Sequence, residues 1–103
     1  MTDADAITLE IQGAKGRYVY AAGGEEAEMT YSRAGEKLVI IDHTGVPDGM
    51  RGQGVGAALV ARAVADARRE GWKILPLCPF AASQFRRHPD WADVLNSNVK
   101  AKS

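Results

Sequence analysis

The sequence predicts an α+β fold: an antiparallel meander of strands followed by one βαβ crossover. Three observations carry this. Strand-like runs, alternating apolar and polar over 7–31 and apolar on both faces within 37–46, are joined by short glycine-bearing turns that leave no space for a helix. At Gly54 the apolar period changes from two to about four, and a last apolar run follows Gly71. Between the two halves stands Arg51-Gly52-Gln53-Gly54-Val55-Gly56.

Ile7-Thr8-Leu9-Glu10-Ile11 alternates as a short first strand, with one edge open. Residues 17–21 form the second strand, reached through Gly13 and Gly16, and Gly23-Gly24 marks a tight turn into a third strand over 26–31. Ala34-Gly35 leads into 37–46, whose Leu38-Val39-Ile40-Ile41 core is apolar at every position and predicts a central strand covered on both faces. Val55, Leu59, Ala63 and Ala67 then recur four apart, flanked by Val60 and Val64. Arg62, Asp66, Arg69 and Glu70 take the other side, which predicts a helix of about four turns with a polar outer face. Gly71 closes it where a left-handed cap is needed. Residues 72–77 form the last strand, parallel to 37–46 because a helix separates them. A short helix over 80–87 follows, and Pro89 suits the first turn of another over 89–95. Trp72, Phe80 and Trp91 are expected to pack around these last elements.

One hundred and three residues are expected to form a single domain spanning 1–103. At 46% hydrophobic and 25% charged, the composition is that of a soluble globular protein, and no apolar run approaches the ~20 residues that span a bilayer. Thirteen basic residues balance thirteen acidic ones, so no global field draws the protein to nucleic acid or to an anionic membrane. Residues 1–6 lack the basic start and apolar middle of a signal peptide, which places the protein in the cytoplasm. Cys78 is the single cysteine and only two histidines accompany it, so neither an internal disulfide nor a structural zinc site is expected. The open first strand allows a monomer or a weak dimer.

A glycine-rich loop between a strand and a helix makes an anion site. The first helical N–H groups have no partner inside the helix, and the macrodipole adds about half a positive charge there. Gly52, Gly54 and Gly56 let a phosphate approach the backbone, and Arg51 supplies a guanidinium fork. The same glycines would also serve a plain tight turn. The nucleoside-triphosphate pattern G-x-x-x-x-G-K-S/T fails, because Ala57 follows Gly56 and no lysine is in reach. The dinucleotide pattern G-x-G-x-x-G fails as well, since Ala57-Ala58-Leu59 follow and the preceding strands form a meander.

What remains is R-x-x-G-x-G, from Arg51 through Gly54 to Gly56, and here the sequence resembles the GNAT superfamily of acyl-CoA N-acyltransferases. Their signature is R/Q-x-x-G-x-G/A between the fourth strand and the next helix. A second family pattern, N-x-x-A-x-x-x-Y followed four residues later by G, falls on Cys78, Ala81, Phe85 and Pro89, with the spacing kept and only Ala81 matching in type. HTGVP, RGQGVG and CPFAASQF followed by HPDW together resemble a small YjdJ-like branch of acetyltransferases that lacks the two helices after the first strand. The resemblance implies a minimal GNAT fold with acetyl-CoA lying between two splayed parallel strands, 37–46 and 73–77. It implies that the diphosphate rests on the amides of Gln53, Gly54, Val55 and Gly56. The pantetheine arm would pair with the backbone of Thr44, Gly45 and Val46 until Pro47, and an N–H near Val46 would polarise the thioester carbonyl. Phe85 would line the same cofactor site.

The acceptor implied is an amine, small or on a protein, and an amine must be neutral to attack. A lysine with a pKa of ~10.4 is neutral only to about one part in a few thousand at neutral pH. His43, at the end of the central strand, is the candidate base; the alternative is a strand histidine bonded into the fold or facing solvent. Asp42 should face away from His43, so that only one of them can reach the substrate. Phe85 has no hydroxyl with which to protonate the departing CoA thiolate. Cys78, ending the fifth strand, could donate that proton or accept the acetyl group itself; otherwise it is a small buried apolar residue. Arg86 or Arg87 could reach the 3′-phosphate of CoA, His88 is a cap or loop residue, and no metal is implied. Two other readings stay open: a CoA-binding module without catalysis, and an interaction domain whose glycine loop only turns the chain.

Overall fold

The structure, a computed structural model, describes residues 6–96. Five strands form one sheet in chain order: β1 (Ile7–Gln12), β2 (Lys15–Ala22), β3 (Glu25–Arg33), β4 (Leu38–Gly45) and β5 (Lys73–Pro76). The first four pair antiparallel, as hairpin connections of a few residues require, and β4 pairs parallel with β5 across the intervening helix. Helix α1 runs over Val55–Glu70 and α2 over Pro79–Arg87; 3-10 turns at Asp48–Met50 and Pro89–Val94 flank them. Among the described residues no helix is long and apolar enough to cross a membrane.

The apolar stripe of α1 (Val55, Leu59, Val60, Ala63, Val64 and Ala67) packs on Tyr18, Met29, Ile41 and Ile74 of the sheet. Ala81 and Phe85 of α2 and Trp91 and Val94 of the last 3-10 helix join the same core, so these helical elements share one side of the sheet. The other side carries Glu10, Arg17, Glu28, Thr30 and Ser32, with Arg17 bridging Glu10 at 2.8 Å, Glu26 at 3.5 Å and Glu28. This corrects the expectation for the central strand. Val39 and Ile41 are buried, whereas Leu38 and Ile40 are half-buried, because the core takes only one face of β4.

Asp66 also departs from expectation. Placed on the polar side of α1 by its type, it is 1% exposed. Tyr18 Oη donates to it at 2.8 Å, Arg62 Nε at 3.2 Å and Arg69 at 3.0 Å, while Arg62 reaches on to the Ile7 carbonyl at 2.7 Å. A carboxylate can be buried when paired this fully, and here it ties α1 to the first two strands. Burial, reinforced by the hydrogen bond to Asp66, pushes the Tyr18 hydroxyl well above its usual pKa.

One irregularity decides which way the end of β4 faces. Tyr31 pairs with Ile41 but Thr30 with His43, so Asp42 is an extra residue in a β-bulge. Asp42 accepts from Ser32 Oγ at 2.9 Å, and His43 pairs with Thr30, two residues from Ser32 on the same strand face. Both side chains therefore lie on the open face. The strict alternation that would have set them on opposite faces is broken by the bulge.

Candidate functional site

The pairing of β4 with β5 stops at Ile41 opposite Pro76, while β4 stays on β3 as far as Gly45. The amides of Leu77 and Cys78 both donate to the Ile41 carbonyl, at 3.2 Å each, and the chain then turns into α2. Residues 42–45 thus have no strand beside them on the β5 side. A groove of about 420 Å³ opens at this fork. Thr44 and Val46 line one wall, Arg51, Gly52 and residues 54–57 the floor, and Phe80 and Gln84 of α2 the far wall.

The floor is built by backbone conformation. Met50, buried, pins the 3-10 turn to the core, and Gln53 Nε2 donates to the Gly49 carbonyl at 3.1 Å. Gly52 (φ 82°) and Gly54 (φ 76°) are left-handed, a region other residues enter at a cost. Gly54 is the N-cap of α1, so no side chain caps the helix, and no acidic residue stands in its first turn. The leading amides are left for whatever enters the groove. Gly56 has a different reason to be glycine: a Cβ there would fall 2.8 Å from Phe80 Cζ. The ring of Phe80, 37% exposed, packs over the helix entrance against Gly56. Arg51 is exposed and its Nε pairs with Asp48 Oδ1 at 3.0 Å, so the guanidinium is shared with a carboxylate.

Cys78 is the N-cap residue of α2 and 6% exposed, just behind Thr44. Burial pushes its thiol up, but the Thr44 hydroxyl at 3.5 Å and the amides of Ala81, Phe80 and Thr44 outweigh this and bring the pKa below that of a free thiol. His43 lies across β4 from it, exposed, its Nε2 3.2 Å from where a Cβ on Gly45 would stand. The fold does not join His43 and Cys78 by any hydrogen bond; it sets them on the two faces of the same strand end. Gly45 sits on the open face with His43. Phe85 does not border the groove: it is buried and meets Trp91 edge-on at 5.5 Å. Its neighbour Gln84 borders the groove instead, and sequence reasoning missed it, although Phe80 and Gln84 stand one helical turn apart. Arg86 and Arg87 are exposed on the last turn of α2, and His88 stacks on Trp91 at 3.9 Å. A larger hollow of about 730 Å³ lies on the open face beside Arg17 and Asp42, away from the glycine loop.

Residues 17–94, from β2 to the end of the last 3-10 helix, match the family of GCN5-related N-acetyl-transferases. The chain belongs to this family. A GCN5-like protein of Staphylococcus aureus solved by NMR, described as a candidate N-acetyltransferase, is 31% identical, with 88% of this chain and 89% of that one covered and a TM-score of 0.66. The ribosomal-protein-alanine N-acetyltransferase of Brucella melitensis biovar Abortus shares the fold at a TM-score of 0.62 and 17% identity over 74% of this chain and 64% of that one. No curated protein matches. This GCN5-related acetyltransferase therefore catalyses N-acetyl transfer, and the matched span contains the fork of β4 and β5, the glycine loop and α2.

Proposed function

We propose that acetyl-CoA is the acetyl donor, that it occupies the groove at the fork, and that the acceptor amine arrives over the open face of the sheet. The observation that carries this is the uncapped entrance of α1 opening into a groove beside an unpaired strand end. The diphosphate takes the amides of Gln53, Gly54, Val55 and Gly56, and the amides of the pantetheine arm pair with the backbone of Thr44, Gly45 and Val46 as an added strand. Pro47 ends that pairing because it has no N–H.

The acetyl carbonyl is thereby brought beside Thr44 and Cys78. Cys78, set against Thr44 with its thiol held below the usual pKa, takes the acetyl group. Its sulfur bonds to the carbonyl carbon, the bond to the CoA sulfur breaks, and the CoA thiolate leaves or takes a proton from water. The amine then attacks the acetyl-Cys78 thioester and restores the thiolate. The proton the amine loses passes to His43 on the open face through water in the gap beside residues 42–45, where β4 has no β5 partner. A reducing cytoplasm would keep Cys78 free for this role.

Isothermal titration with CoA, followed by mass spectrometry of the protein after exposure to acetyl-CoA, tests the proposal. One added acetyl group on Cys78 is the expected product. Full transferase activity in Cys78→Ala would remove the covalent step, and failure of CoA to bind would remove the site.

A further inference from the structure

We infer that Gln84 reads the pantetheine arm of the donor, acting as a specificity-determining residue of the groove; this rests on the reading that CoA lies there. Gln84 is 7% exposed, and its side chain borders the groove on the wall facing Thr44 and Val46. Among the described residues its carboxamide has no hydrogen-bond partner, although none of its polar atoms is fully sealed from solvent. The small exposure it keeps opens into the groove. Every other wall of the fork except Arg51 and Thr44 is backbone or apolar side chain: Val46, Met50, Val55, Ala57 and Phe80.

With no protein partner, this largely buried carboxamide depends on the little water that the groove admits, whereas such groups in native interiors are mostly paired. The neighbouring positions on α2 show what the fold alone would place there: Ala81 and Phe85 are buried and apolar. The missing partner is supplied by the ligand. A carboxamide offers one acceptor and two donor hydrogens, which matches a secondary amide with one carbonyl and one N–H. The diphosphate offers acceptors only and is already provided for by the α1 amides. The pantetheine arm carries two secondary amides on an otherwise apolar chain, and it passes between β4 and α2. Gln84 bonds one of them from the α2 side while the β4 backbone takes the strand side.

The test compares wild type with Gln84→Met, which keeps length and apolar stem and removes the carboxamide. CoA and ADP are titrated into both by calorimetry, ADP sharing the diphosphate and lacking the pantetheine arm. A neutral hydrogen bond in a partly dehydrated site predicts CoA binding weakened about three- to tenfold, with ADP binding unchanged. The ligand-free melting temperature of Gln84→Met is expected to hold or rise, since an unpaired polar group has been removed. Equal weakening of CoA and ADP together with a lower melting temperature would make Gln84 structural and overturn the inference. Unchanged CoA binding would overturn it while leaving the donor site standing; wild type binding neither ligand would overturn both.

Discussion

Gly56→Ala separates the two reasons a glycine can stand at a helix entrance. In a helix, alanine is favoured over glycine by up to ~1 kcal/mol, and less in the first turn, so on propensity alone the substitution stabilises. Against this, the added methyl would meet Phe80 Cζ at 2.8 Å and Cε2 at 3.0 Å, with Val46 Cγ2 at an ordinary 3.5 Å. Overpacking of that kind costs ~1–3 kcal/mol where the neighbour is fixed. Phe80 is partly exposed and its ring can swing outward, which puts the cost near the lower end and the net change within ~1 kcal/mol of zero. With Phe80→Ala already in place the obstacle is gone, and Gly56→Ala should stabilise by about 0.5–1 kcal/mol. Urea unfolding of the four proteins, with unchanged m-values, gives the coupling between the two sites, expected at about 1–2 kcal/mol. The swing also moves the far wall of the groove, so Gly56→Ala should lose CoA affinity even where stability is unaffected. Equal destabilisation by Gly56→Ala with and without the Phe80 ring would refute the reasoning and shift the constraint to the backbone.

Tyr18→Phe leaves Asp66 with Arg62 and Arg69 and should cost about 1–2 kcal/mol, whereas Asp66→Ala removes the hub of the network and should cost about 2–4 kcal/mol; thermal unfolding that ranked them in the reverse order would contradict the hub role. Thr44→Val removes the hydroxyl that favours the Cys78 thiolate and should raise the thiol pKa, read from thiolate absorbance at increasing pH. In wild type the folded pKa is depressed, so thiolate formation stabilises the fold at alkaline pH, and that contribution fades as pH falls through the folded value; a titration unchanged by Thr44→Val would show that the amides of α2 hold the thiolate unaided.

The strands and helices were legible because they depend on local periodicity. Alternation in 7–11 and 17–21 gave β1 and β2 nearly to their ends, and the four-residue recurrence from Val55 gave α1 with its Gly71 stop. The loop at Arg51 to Gly56 was legible for a related reason, since left-handed positions such as Gly52 and Gly54 write themselves as glycine.

Contacts between distant segments were not legible. The burial of Asp66 depends on Tyr18, forty-eight positions away, meeting it across the core. Asp42 and His43 share a face through a bulge that is a property of two strands together, and alternation along one strand has no means of recording it. Gly56 answers to Phe80, and Gln84 rather than Phe85 turns to the groove, because the roll of α2 is set by Phe85 meeting Trp91 in the core. Chain-local dihedrals and periodicity determine elements one at a time; which side chains face one another depends on how those elements pack, and the chemistry of the fork is decided there.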